Sequence, residues 1–147
     1  MKVIGFNFTK VSANRKPQLL KRLVINTNIE FLEIEKEKIE MLKDLDPLKI
    51  DFRFSVVYQN QEQANQKKEK EDKDAEVSFD GNIVLSADKE EAKDILKSWK
   101  KREVPQTLKI SLFNLILKRC SVRALALEEE LGLPLHVGIP QIKPQQK

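Results

Sequence analysis

The sequence predicts an α+β fold, a four-stranded antiparallel sheet followed by two helices, in one domain spanning 1–147. Two observations lead there. Apolar residues recur at every second position through the first two thirds of the chain and at every third or fourth position through the last third. The chain's 147 residues match the size of one domain with one core.

The first strand starts near Val3. Ile4, Phe6 and Phe8 alternate with Val3, Gly5, Asn7, Thr9 and Val11, so the two sets are expected on opposite faces. Ser12 to Gln18 contains Asn14 and Pro17 and reads as a loop, because proline lacks the amide a strand ladder needs. In the second strand, Leu23 to Glu35, the pattern Leu23, Ile25, Thr27, Ile29, Phe31 changes register to Leu32 and Ile34, which predicts a bulge near Phe31. The third, Leu48 to Tyr58, alternates Leu48, Ile50, Phe52, Phe54, Val56 and Tyr58 with mostly polar residues, the pattern of a strand with one wet face. The fourth, Ala75 to Ser86, does the same through Val77, Phe79, Gly81, Ile83 and Leu85. Between them 59–74 is rich in Gln, Asn, Lys, Glu and Asp, too polar to offset its ordering entropy, and is expected to be a mobile charged loop.

Asp88 and Glu91 have capping-box spacing, so a helix should begin there, carry an apolar stripe of Ala92, Ile95, Leu96 and Trp99, and stop at Pro105. Thr107 is the expected cap of a longer helix running to about Leu131 and closed by Gly132. Its apolar residues exceed one stripe. Phe113, Ile116, Leu117, Cys120, Ala124, Leu127 and Leu131 form a seam that Leu108, Leu112, Leu115, Val122 and Leu125 widen. A helix packed only on its own sheet needs an apolar arc of roughly 100°. The excess points to self-association, with Phe113, Ile116, Leu117, Cys120 and Leu127 as the oligomer interface, in a dimer or tetramer; the alternative is that the extra residues meet the first helix or the proline-rich tail. The tail, 133–147, contains Pro134, Pro140 and Pro144 and is expected to run extended.

Composition excludes several functions. The chain is 40% apolar and 34% charged, which supports a core beneath a heavily ionised surface. No apolar run approaches the roughly 20 residues that span a bilayer, and MKVIGFNFTK lacks a signal-peptide apolar stretch, so a cytoplasmic location without membrane insertion is expected. One cysteine, Cys120, and one histidine, His136, exclude an internal disulfide and leave too few soft ligands for zinc. The four glycines never cluster into a phosphate-cradling loop. Cys120 falls on the apolar seam and reads as core. His136 has no activating partner in sequence, and Glu128 to Glu130 read as a solvated acidic face. No catalytic residue, metal or cofactor is expected, and the chain does not read as an enzyme.

Charge is unevenly placed. Met1 to Ile29 holds Lys2, Lys10, Arg15, Lys16, Lys21 and Arg22 with no acidic residue, and Lys97 to Arg123 is almost as one-sided. If the fold joined Arg15, Lys16, Arg119 and Arg123 on one surface, nucleic acid or a ribosome would be an alternative partner.

The order of elements, together with the phenylalanine-rich strands Ile4 to Phe8 and Ile50 to Phe54, Phe79-Asp80-Gly81, the Leu112 to Ser121 stretch and the closing Leu133 to Pro140 segment, resembles the SecB-type export chaperones and their SecB-like relatives. The resemblance implies a dimer of dimers that binds non-native polypeptide without ATP, in apolar grooves between sheet and helices. Carried over element by element, it implies Phe31, Phe52, Phe54, Tyr58, Phe79 and Trp99 as aromatic contacts to that polypeptide, with ordinary core as the favoured alternative for any single one of them. The chain departs from the family in charge. The export chaperones are acidic and dock on the secretion motor ATPase through acidic sheet residues, whereas this chain carries +4. A protein guarding one client, such as an antitoxin, therefore fits beside a role in protein export.

Overall fold

A computed structural model describes residues 1–18, 22–37, 45–61 and 73–145. Four antiparallel strands, β1 (Lys2–Arg15), β2 (Leu23–Lys36), β3 (Leu48–Asn60) and β4 (Ala75–Ser86), are followed by helices α1 (Lys89–Trp99) and α2 (Gln106–Glu130). The sheet order is β1-β4-β3-β2, so the two phenylalanine-rich central strands lie between two long edge strands.

Register decides which side chains share a face. Phe54 opposes Phe79, Ile50 opposes Ile83 and Leu48 opposes Leu85, and all six are buried beneath the helices. On the opposite face Arg53 sits across from Asp80 and grips it with two hydrogen bonds, 2.8 and 3.1 Å. The alternation of β3 and β4 therefore yields the expected covered and wet faces.

In β1 the expected faces are corrected by two bulges. Pairing with β4 skips Ile4 and Thr9, so Val3 opposes Leu85, Phe6 opposes Ile83, Phe8 opposes Gly81 and Val11 opposes Phe79. Each extra residue shifts the alternation by one, which moves Val3 and Val11 to the phenylalanine face. The strand also continues to Arg15, through the expected loop, because Ser12 to Arg15 still find partners from Ser78 to Ala75. Proline breaks the ladder only where it stands, at Pro17. Gly81 is required where β1 comes close: a Cβ there would lie 2.4 Å from the Asn7 carbonyl oxygen and 2.8 Å from the Phe52 ring. The bulge expected near Phe31 lies between Phe31 and Glu33.

Most of the charged 59–74 segment, 62–72, lies outside the described residues. Gln59 and Asn60 extend β3, and Asp74 is buried. The Asp74 N–H donates to the Tyr58 carbonyl, its carboxyl accepts from the Asn60 N–H at 2.7 Å, and its carbonyl accepts from the Lys16 N–H.

Asp88 caps α1 as expected, accepting from the Glu91 N–H at 2.8 Å. The helix ends at Trp99, well before Pro105. Arg102 takes a positive φ of 58° there, which turns the chain toward α2. Pro105, and not Thr107, occupies the cap position of α2. Proline's fixed φ and missing donor suit the start of a helix, where amide groups lack intrahelical partners. At the other end Gly132 has φ 66°, the Gly132 N–H donates to Glu129 and the Leu133 N–H to Glu128, which is a Schellman close.

Helix α2 packs across β3 and β4 through Leu112, Ile116, Cys120, Ala124 and Glu128. Ile116 and Cys120, expected between subunits, are thus wholly covered by the chain's own sheet. Phe113 and Leu127 are half-buried. Leu117 is exposed, with Ile110 and Val122.

Candidate polypeptide-binding site

Helix α2 is narrower than the sheet it covers, so the apolar faces of both edge strands are left partly open along its flanks. On the β2 flank a cleft of about 580 Å³ is lined by Ile29, Phe31, Trp99, Val104 and Phe113, with Glu30, Arg102, Glu103 and Lys109 at the rim. The Phe31 and Phe113 rings meet at 5.0 Å between centroids. Trp99 donates its indole N–H to Glu33 Oε1 at 2.9 Å. That bond, with a second from the Ile34 N–H, holds the Glu33 carboxyl below the usual carboxylate range. The Arg102 guanidinium lies 4.8 Å from the Trp99 ring and donates to the Leu32 carbonyl, while the Lys109 ammonium lies 5.6 Å from the Phe113 ring. The floor is therefore aromatic and the cations lie against its faces, where a ring's negative face attracts them.

On the β1 flank, Phe6 and Phe8 are half-buried beneath Arg119 and Arg123, whose guanidinium carbons lie 5.4 and 5.9 Å from the two ring centroids. Arg15 lies further along this flank, donating to the Leu131 carbonyl at 2.8 Å, and Lys16 pairs with Asp74. Arg15, Arg119 and Arg123 therefore do share one side of α2. On the outer sheet face a shallow basin of about 560 Å³ includes Lys10, Glu30, Arg53, Lys73, Glu76 and Asp80, of both signs. Arg53 and Asp80 are joined there, as are Lys73 and Glu76.

Of the residues expected to touch polypeptide, the structure brings half-buried Phe31 to the cleft, with Trp99, 9% exposed, showing only an edge in its wall. Phe52, Phe54, Tyr58 and Phe79 have no exposed surface and form the core below it. Phe113, expected between subunits, lines the cleft. Arg102, Val104 and Lys109 join it there without a pattern in the sequence to mark them. The register change at Phe31 is the one visible signal, and the left-handed turn at Arg102 that swings this segment over β2 leaves none.

Below the cleft, the tail is fastened to α2 by a buried polar cluster. Glu128 has no exposed surface, correcting its expected place on a solvated face. Glu129 and Glu130 are exposed. The Glu128 carboxyl lies 2.7 Å from His136 Nδ1 and accepts from the His136 backbone N–H at 3.1 Å. His136 Nε2 lies 3.3 Å from Ser121 Oγ, and the Tyr58 hydroxyl donates to the Pro134 carbonyl at 2.7 Å. Burial, with Glu128 alongside, pushes the Tyr58 hydroxyl far up, so it stays a donor. His136 thus has the partners that its sequence neighbours lack. The Ser121, His136 and Glu128 order is that of a hydrolase triad, but Ser121 lies in mid-helix, where neighbouring N–H groups are committed to the helix and none can form an oxyanion hole. With its side chain 3% exposed, His136 is out of a substrate's reach. The cluster is a fastening. Among the described residues no group of His, Cys, Asp and Glu is arranged to hold a metal, and no helix is long and apolar enough to cross a membrane.

No protein-family model matches the chain, and no curated protein matches its sequence. Among solved structures it is similar to the SecB-like chaperone Rv1957 of Mycobacterium tuberculosis, in complex with a ChAD peptide from the HigA1 antitoxin. That likeness covers 98% of this chain and 92% of the other, with a TM-score of 0.53 and 14% identity. At that identity it is a likeness of fold, and the fold is SecB-like.

Proposed function

We propose that this chain is an ATP-independent chaperone that holds an extended, non-native polypeptide in the cleft between β2 and α2. The observation behind this reading is the accessible Phe31–Phe113 pair, flanked by the edge of the mostly buried Trp99, in a SecB-like fold. Apolar client side chains would bury against these rings, while the outer edge of β2, which pairs with no strand among the described residues, lies alongside to bond an extended chain. The similar structure contains a chaperone with a peptide from an antitoxin, and a basic chain whose outer sheet face mixes both charges supports guarding a particular client over docking on a secretion motor. Self-association into a dimer or tetramer belongs to the same reading, through the exposed Leu117, Ile110 and Val122 of α2 and Val3, Ile4 and Val11 of β1. The outer edge of β1, which pairs with no strand among the described residues, would be open to a second chain.

The test combines light scattering with an aggregation assay on a chemically unfolded client at low and high salt. An oligomer that keeps the client soluble at both salts, and loses that activity on Phe31→Asp, is expected. A protein that leaves the client to aggregate and instead binds nucleic acid with steep salt dependence overturns the reading. It would transfer function to the Arg15, Arg119 and Arg123 flank.

A further inference from the structure

The polypeptide cleft and the C-terminal tail lie on the same flank of α2, and the tail points at the cleft. Ser121 and Glu128 fall on the side of α2 that carries Phe113, which faces β2 through its contact with Phe31. The tail turns back at Gly132 and runs against this side. Pro134 is tied to Tyr58, and His136 is tied to Glu128 and Ser121 with its ring against Phe54, 6.0 Å between centroids. From Tyr58 to Phe54, and from Glu128 to Ser121, the heading is toward Phe52 with its partner Phe31, and toward Phe113. The first part of the flank is thus already filled by the chain's own tail, and the open cleft is its continuation.

The residues after His136 suit that continuation. Val137, Ile139 and Ile142 are large, apolar and exposed, Ile142 completely so. From Ser121 to Phe113 is about 12 Å along the helix, and Val137 to Ile142 extended covers up to about 20 Å. Ile139 can reach Phe31 and Phe113, and Ile142 the Trp99 end. Pro140 keeps the segment extended and removes one donor from the backbone.

We propose that the segment Val137 to Ile142 is a strap that closes into the β2–α2 cleft, laying Ile139 and Ile142 on the aromatic floor and competing with client polypeptide. In the structure the strap stands open. The proposal rests on the reading of the cleft as a client site, but its energetics need only the tether. A short flexible linker gives an effective concentration on the order of mM. A segment with an intrinsic dissociation constant of about 0.1 mM would then fill the cleft about nine-tenths of the time and weaken apparent client affinity about tenfold.

The test compares the full chain with Ile139→Ser/Ile142→Ser, whose replaced side chains are exposed and bear no part of the core. Two readouts are taken: acrylamide quenching of Trp99, the chain's one tryptophan, without any ligand, and affinity for a short labelled peptide rich in Leu and Phe. The expected result is stronger Trp99 quenching and about tenfold tighter peptide binding in the variant. Stronger quenching with no peptide binding by either chain would support the strap and sink the client-site reading. Equal quenching and equal peptide affinity would overturn the strap and leave the client site standing. Unchanged quenching with no binding by either would overturn both.

Discussion

Replacing His136 by alanine tests whether the tail is fastened by the buried cluster. In the native fold the Glu128 carboxyl has no exposed surface and lies 2.7 Å from His136 Nδ1. The substitution leaves it with the His136 backbone N–H and without the ring. Leaving a buried acceptor without its partner costs about 1–3 kcal/mol, and losing the ring's packing against Phe54 adds about 1 kcal/mol. The expected destabilisation is thus about 2–4 kcal/mol. With a urea slope of about 2 kcal/mol per molar, the unfolding midpoint falls by roughly 1–2 M. Trp99 fluorescence and far-ultraviolet circular dichroism would follow the transition at one fixed protein concentration, since association would shift it. The partner substitution Glu128→Leu/His136→Leu removes both polar groups and is expected to recover much of the loss. A cost below about 1 kcal/mol for His136→Ala, or a double variant that simply sums its two single costs, would refute the fastening.

Three further outcomes are expected. Gly81→Ala should destabilise the sheet by about 2 kcal/mol or more, because the new methyl meets the Asn7 backbone oxygen at 2.4 Å; an unchanged urea midpoint would contradict the close approach of β1 and β4. Burial pushes the Cys120 thiol up to about 12 from 9.0, so the fold favours its neutral form. The group's contribution is present in full below about pH 9 and is lost as pH rises toward about 12, and rapid labelling of native protein by a thiol reagent at pH 8 would overturn its buried placement. Arg53→Ala should cost at most about 1 kcal/mol, because the Arg53 side chain is 45% exposed and its pair with Asp80 is screened by water. A loss several times larger, measured in the same urea experiment, would show that the outer sheet face is buried against something in solution.

How much was legible in the sequence differs by element. The limits of β4, the bulge beside Phe31, the Asp88 cap and the Gly132 close rest on side chains and backbone within a few residues of each other, so local chemistry sufficed. Ile4 and Thr9 show the opposite case. Nothing near them marks a bulge, and only pairing with β4 reveals that Val3 and Val11 join Phe6 and Phe8. The aromatic residues divide for a similar reason. Alternation identifies Phe52, Phe54 and Phe79 as apolar-face residues, but whether such a face is core or open floor depends on where α2 crosses it. Because α2 covers the central strands, those rings are sealed, while Phe31 on the edge strand stays accessible.

By itself the sequence determined four strands, two helices, their order and most of their ends, because periodicity and capping are local properties of the chain. Only contacts between distant elements bring Glu128, Ser121 and His136 together and set Trp99 and Phe113 along one cleft. Those placements depend on contacts between elements distant in sequence, and no residue's own neighbours encode them.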